Sequence, residues 1–186
     1  VPQFAAFAAG KGARLMLLTK QQKYLLAVLE KLGCAEQRQL AALLQKIFAF
    51  SSLDDAVRVT GACVRQMQMG GLLQISEDGI VHTCDYVNTE IINAIAVMLE
   101  LSSVQSPEEF RAVDRRILLR FSLGEPSFKQ FAIVSGSASP PERELRQEET
   151  VIVLLPNGAK PELSYARPII FAIRQEDGTH RFFARK

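Results

Sequence analysis

Arg58 and Arg65 stand seven residues apart, so on a helix they share one side, with Gln66 and Gln68 close to the second of them. A guanidinium fits the O6/N7 edge of guanine and a carboxamide the N6/N7 edge of adenine, so an exposed helix carrying this set has the chemistry to read bases in a major groove. Lys20 and Lys23, upstream, suit the other half of that chemistry, which is holding phosphates. Acidic residues oppose it. Asp54 and Asp55 precede Arg58 closely, and Glu77 and Asp78 follow the group. A second basic group, Arg111, Arg115, Arg116 and Arg120, reads as a solvated face paired with Glu108 or Asp114, with an auxiliary phosphate contact as the alternative.

Other chemistries find fewer residues. Cys34, Cys63, His82 and Cys84 are all acceptable zinc ligands, but no two cysteines form a close Cys-x-x-Cys pair, and Cys63 falls beside an apolar helical stripe. These are read as small buried thiols, so no metal is expected. His82 and His180 are the only imidazoles, and no Gly-x-Ser-x-Gly, Gly-x-x-x-x-Gly-Lys or Gly-x-Gly-x-x-Gly occurs. The expectation is a protein with no catalytic residues and no cofactor.

The whole chain bounds these readings. Its 186 residues suggest one compact domain or two small ones, and 48% hydrophobic with 23% charged residues is an ordinary globular composition. A net charge of +2 does not mark the entire chain as a nucleic-acid binder. Three widely spaced cysteines give no disulfide framework and fit a reducing, cytoplasmic setting. No apolar run approaches the length that spans a bilayer, so no membrane partner is expected.

The elements that position the basic groups follow from periodicity and punctuation. Residues 1–18, rich in Ala and Gly, read as a loose N-terminal arm. Thr19 and Gln22 form a capping box for a first helix with an apolar stripe at Tyr24, Leu25, Val28, Leu29 and Leu32, stopped by Gly33. A second helix is expected over about Ala35 to Leu44. Ser52 caps a third, whose Leu53, Val57, Thr60, Val64 and Met67 face inward, and Gly70-Gly71 ends it. Leu72–Ser76 and Ile80–Cys84, separated by Glu77-Asp78-Gly79, read as a β-hairpin.

This order of three helices and a hairpin resembles a winged helix-turn-helix over Thr19 to Cys84, within a domain set at residues 19–86. The resemblance implies that the third helix enters the DNA major groove, presenting Arg58, Arg65, Gln66 and Gln68, while Lys20 and Lys23 hold phosphates. Over that span seven Lys/Arg meet six Asp/Glu, a balance of +1 that weakens the electrostatic case for DNA.

Residues 87–186 read as a small α+β domain. Asn88 to Leu101 is an amphipathic helix, and Ser106-Pro107-Glu108-Glu109 reads as the start of another. Strands are expected at Ile117–Leu123, Phe128–Val134, Val151–Leu155, Pro168–Arg174 and Thr179–Ala184, with a short charged helix from Pro141 to Glu149. That gives a sheet of about five strands covered by one or two helices. The short link at Asp85–Asn88 favours a fixed arrangement of the halves.

The order of the second half resembles a degenerate restriction-nuclease-like core. Such cores place a Lys two residues after an acid, and none of the eight lysines has that spacing. A winged helix followed by such a domain resembles the replication-relaxation-type proteins of plasmids and conjugative elements. That resemblance implies a non-enzymatic role on double-stranded DNA, in replication, transfer or transcription control of a bacterial mobile element. The competing expectation is a protein–protein interaction module using the same fold without DNA contact, and a homodimer or protein partner fits either.

Overall fold

The computed structural model describes residues 17–84, 87–124, 128–137, 141–159 and 166–185, in a mixed α+β fold. Among these residues are four helices, a three-stranded sheet and a six-stranded sheet. The N-terminal arm expected over 1–18 lies outside the described residues except for Leu17 and Leu18.

α1 (Lys20–Leu32) begins as its sequence dictates. The Thr19 hydroxyl accepts from Gln22 N while Gln22 Oε1 accepts from Thr19 N, and Gly33, at φ 78°, ends the helix. The expected second helix starts later than its apolar pattern suggests. Cys34–Glu36 is a strand, β1, and α2 runs from Gln37 to Ile47. The difference is tertiary: Cys34, Ala35 and Glu36 pair antiparallel with His82, Val81 and Ile80, an interaction no local signal announces. Gln39 then fixes the helix start, accepting from Glu36 N and donating to Ile92 O at 2.8 Å.

α3 (Leu53–Met69) is capped by the Ser52 hydroxyl and buries Ala56, Thr60, Cys63, Val64 and Met67, leaving Leu53 and Val57 half-buried. The hairpin forms from β2 (Gln74–Ile75) and β3 (Ile80–His82), both shorter than expected, around Gly79 at φ 78°. β3 is the centre of a sheet ordered β1-β3-β2, antiparallel throughout.

α4 (Thr89–Leu101), capped by Asn88, packs on the second sheet. That sheet runs in chain order from β4 (Pro107–Ala112) through β5 (Ile117–Leu123), β6 (Lys129–Ser135), β7 (Glu149–Leu155) and β8 (Ile169–Arg174) to β9 (His180–Arg185). The β6–β7 and β7–β8 pairs are parallel and the rest antiparallel.

Three expectations need correction here. The sheet has six strands instead of about five, because Pro107–Ala112 is a strand and not the start of a helix. Ser-Pro-Glu-Glu is a good helix opening, but Asp114 closes the segment almost at once. Its Oδ1 accepts from both Arg116 N and Ile117 N, making a tight hairpin into β5 that buries Phe110. With no helix there, Arg111 and Arg115 do not share a helical face. The charged segment from Pro141 to Glu149 is also not a helix but a run of turns, pinned by the burial of Leu145, and Glu149 already belongs to β7. Finally, the alternation that reads Ile117–Leu123 as a strand sets Ile117 on one face with Leu119, Phe121 and Leu123, and Ile117 does not lie there. A register shift between Ile117 and Leu119 puts it in the other apolar cluster.

One hydrophobic cluster spans both halves of the chain. Leu25, Leu29, Leu44 and Val64 join Ile95, Met98, Phe110, Leu119, Phe121 and Ile152 in it. A second covers the opposite sheet face with Val134, Val151, Val153, Ile169 and Phe171, closed by Leu145.

Candidate nucleic-acid interface

The outward side of α3 follows from its inward one. With Thr60, Val64 and Met67 buried, Arg58, Arg65, Gln66 and Gln68 are all exposed, as are Lys20 and Lys23 on α1. The six differ in what already holds them. Arg58 Nη2 contacts Asp55 Oδ1 at 2.9 Å with its side chain 80% exposed, a pair that water screens heavily. Gln66 Oε1 accepts from Gln22 Nε2 at 2.8 Å, so its carboxamide oxygen is committed to α1. Lys20, Lys23, Arg65 and Gln68 have neither an ion pair nor a side-chain hydrogen bond among the described residues.

The Gln22–Gln66 bond also sets geometry. It brings the first turn of α1, with Lys20 and Lys23, against the C-terminal part of α3, where Arg65 and Gln68 sit. Arg58 lies two turns nearer the start of α3, beside the acidic Asp54 and Asp55. The hairpin tip presents Glu77 and Asp78, both exposed.

Gly61 explains how α2 and α3 come so close. A Cβ at that position would sit 2.8 Å from Gln37 Nε2 and 3.6 Å from Arg65 Nη1. The first residue of α2 therefore lies over α3 beside the Arg65 guanidinium, which makes Gln37 a polar neighbour of the face that sequence reasoning did not single out. The available signal was Gly61 itself, a residue that weakens a helix interior unless something approaches closely.

The thiols and imidazoles stand apart from this surface. Cys34 and Cys63 are buried, and burial raises both thiol pKa values, which suits inert side chains; Cys84 is exposed, so the expectation of a buried thiol fails there. His82 Nδ1 lies 2.7 Å from Cys84 O; a carbonyl only accepts, so Nδ1 carries the proton. His180 is buried against Glu100, Nδ1 to Oε1 2.9 Å. Among the described residues no group of three or more His, Cys, Asp or Glu is placed to hold a metal ion, and no helix is long and apolar enough to cross a membrane. In the second basic group the expected partners Glu108 and Asp114 are not the ones found: Arg116 pairs with Glu144 at 2.7 Å, Arg120 with Glu149 at 2.8 Å, and Asp114 accepts backbone amides.

No protein-family model, curated protein or solved structure matches the chain.

Proposed function

We propose that the chain is a non-catalytic DNA-binding protein, with Thr19–Cys84 acting as a winged helix-turn-helix whose α3 enters the major groove. The observation that carries this reading is the uncommitted cationic and amide surface formed by Arg65 and Gln68 with Lys20 and Lys23, brought to one end of the helical layer by the Gln22–Gln66 bond. The helix–strand–helix–helix–strand–strand order, with its sheet ordered β1-β3-β2, supports the winged-helix arrangement. Arg65 and Gln68 are assigned to base edges, Lys20, Lys23 and Arg58 to phosphates, and Gln66 to bracing α1 against α3. The setting we propose is a regulator or accessory factor of replication or transfer on a bacterial mobile element.

A second reading has its own observation. Met69 ends α3 with its side chain 81% exposed, and the acidic hairpin tip and Asp54 flank the same module. An apolar anchor within a nearly neutral surface suits docking of a protein partner.

Fluorescence anisotropy with mixed-sequence duplex DNA, from low to physiological salt, separates the two. The DNA reading expects affinity that falls steeply with salt, losing roughly 0.9 in the log–log slope for each phosphate contact removed. Arg58→Ala with Arg65→Ala should abolish binding. Unchanged affinity in that double variant, or no binding at low salt, overturns the DNA reading.

A further inference from the structure

We infer that a groove over the β4–β6 part of the large sheet, reaching Lys31 of α1, carries a binding site for a small hydroxylated phosphomonoester. The groove, of about 440 Å³, is bounded by β4, β5 and β6 and by the turns before β7. The strand register explains its lining. Phe121 and Leu123 face the helices, so Arg120 and Ser122 between them point to the other side. Arg111 is the cross-strand partner of Arg120, and Gln130 that of Ser122. Glu149 is the partner of Gln130 on the next strand.

The charges in the groove do not cancel. Four cations line it (Lys31, Arg111, Arg120 and Arg146) against Glu109 and Glu149. The Glu149 carboxylate, 2% exposed, is already held by Arg120 Nε at 2.8 Å and Arg146 N at 3.0 Å. Lys31 rests over the Phe110 ring, 5.4 Å from its centroid, and Arg111 has no ion pair or hydrogen bond among the described residues. The surplus is two positive charges, which a phosphomonoester dianion balances, and a free guanidinium fork matches phosphate oxygens.

Two polar atoms make this more than a charged surface. Ser122 Oγ and Gln130 Oε1 are buried with no hydrogen-bond partner among the described residues, and both residues line the groove. Ser122 is only 4% exposed. Buried polar groups are ordinarily satisfied, so a facing pair left open is an unfilled requirement. The hydroxyl can donate to an anion. The carboxamide oxygen can only accept, so the molecule that completes the pair must bring an O–H or N–H as well as its negative charge. A phosphomonoester with a neighbouring hydroxyl supplies both. The groove shares no residue with the outward face of α3, so the proposal stands independently of DNA binding.

Isothermal titration calorimetry of the full chain tests it with four probes: glycerol 3-phosphate, inorganic phosphate, glycerol and malate. The expected result is saturable one-to-one binding of glycerol 3-phosphate, roughly tenfold tighter than inorganic phosphate as one added hydrogen-bonded hydroxyl would give, with no heat from glycerol or malate. Arg111→Gln should weaken both phosphates by about tenfold. Gln130→Leu should erase the advantage of glycerol 3-phosphate while leaving inorganic phosphate bound, and thermal melts should show that variant folded. The proposal is overturned if neither phosphate binds saturably, if malate binds as tightly, or if Arg111→Gln changes nothing.

Discussion

Gln22 and Gln66 are hydrogen-bonded across 44 positions of sequence, the buried Gln22 Nε2 donating to Gln66 Oε1 at 2.8 Å. The same Gln22 closes the capping box at the start of α1, so one amide fixes both where α1 begins and what it leans on. This divides the outward residues of α3 by role. Gln66→Ala should cost about 1 kcal/mol of stability, the low end for a buried amide losing its partner near water. Arg65→Ala should leave stability within about 0.5 kcal/mol, as for an exposed substitution, and weaken DNA binding by about 1–3 kcal/mol. Denaturant unfolding and anisotropy on both variants check this; a Gln66→Ala protein of full stability that has lost DNA binding would return Gln66 to the base-reading set.

Arg120 and Glu149 form the most buried ion pair of the sheet, with side chains 16% and 2% exposed. Removing one member strands the other's charge. Arg120→Met should destabilise by about 3 kcal/mol, and Glu149→Leu by a similar amount. The double variant should cost less than either alone, because both charges then leave together. Urea unfolding of the three variants gives the coupling energy, and additive effects would mean that the pair is no more than a surface contact.

How legible these features were depends on how local they are. The capping box at Thr19 and Gln22, the Ser52 cap and the Asp-Gly turn before Ile80 are written in adjacent residues, and the structure has all three. β1 was not legible, because Cys34–Glu36 becomes a strand only through β3, some forty-five residues later. Pro107–Ala112 carried a real helix-start signal that lost to the β5 ladder and to the Asp114 turn. For the candidate interface, exposure of Arg58, Arg65 and Gln68 followed from the helical period. The commitment of Gln66 to Gln22 did not, since it needs the packing of α1 on α3. The Ser122–Gln130 pair was equally hidden, because its meaning lies in register and burial.

Gly136 is required by backbone proximity and not by its dihedral angles. Its N–H donates to Leu154 O at 2.9 Å, and a Cβ there would sit 2.5 Å from that same oxygen. Backbone cannot swing aside as a side chain can. Gly136→Ala should therefore destabilise by about 1–3 kcal/mol, the range for overpacking a tight site. Gly158, at φ 75° with nothing near its Cβ position, gives a contrast. There Ala meets only the cost of the left-handed conformation, about 1–2 kcal/mol, with no neighbour to displace. Adding a methyl to Leu154-side space by any other route should leave the Gly158→Ala cost unchanged, and thermal melts of the two single variants and their double should be additive.

Asp114 gives the fold a defined acid response. The Ile117 amide above all holds its pKa below the usual carboxylate range; burial, next in size, opposes it, and the Arg116 amide with the nearby Arg116 and Arg120 guanidiniums adds to the lowering. A carboxyl with a depressed folded-state pKa binds its proton more tightly when unfolded. Its contribution is therefore complete above the unfolded value and is lost as pH falls through the lower folded one. The β4–β5 hairpin should weaken only below about pH 4, the ordinary range of an Asp carboxyl. Asp114→Asn keeps an oxygen that can accept both amides but removes the titration. Its unfolding free energy should lie below wild type at pH 7, and the two curves should converge as pH drops toward 2. Curves that stay parallel across that window would mean that Asp114 contributes nothing through its charge.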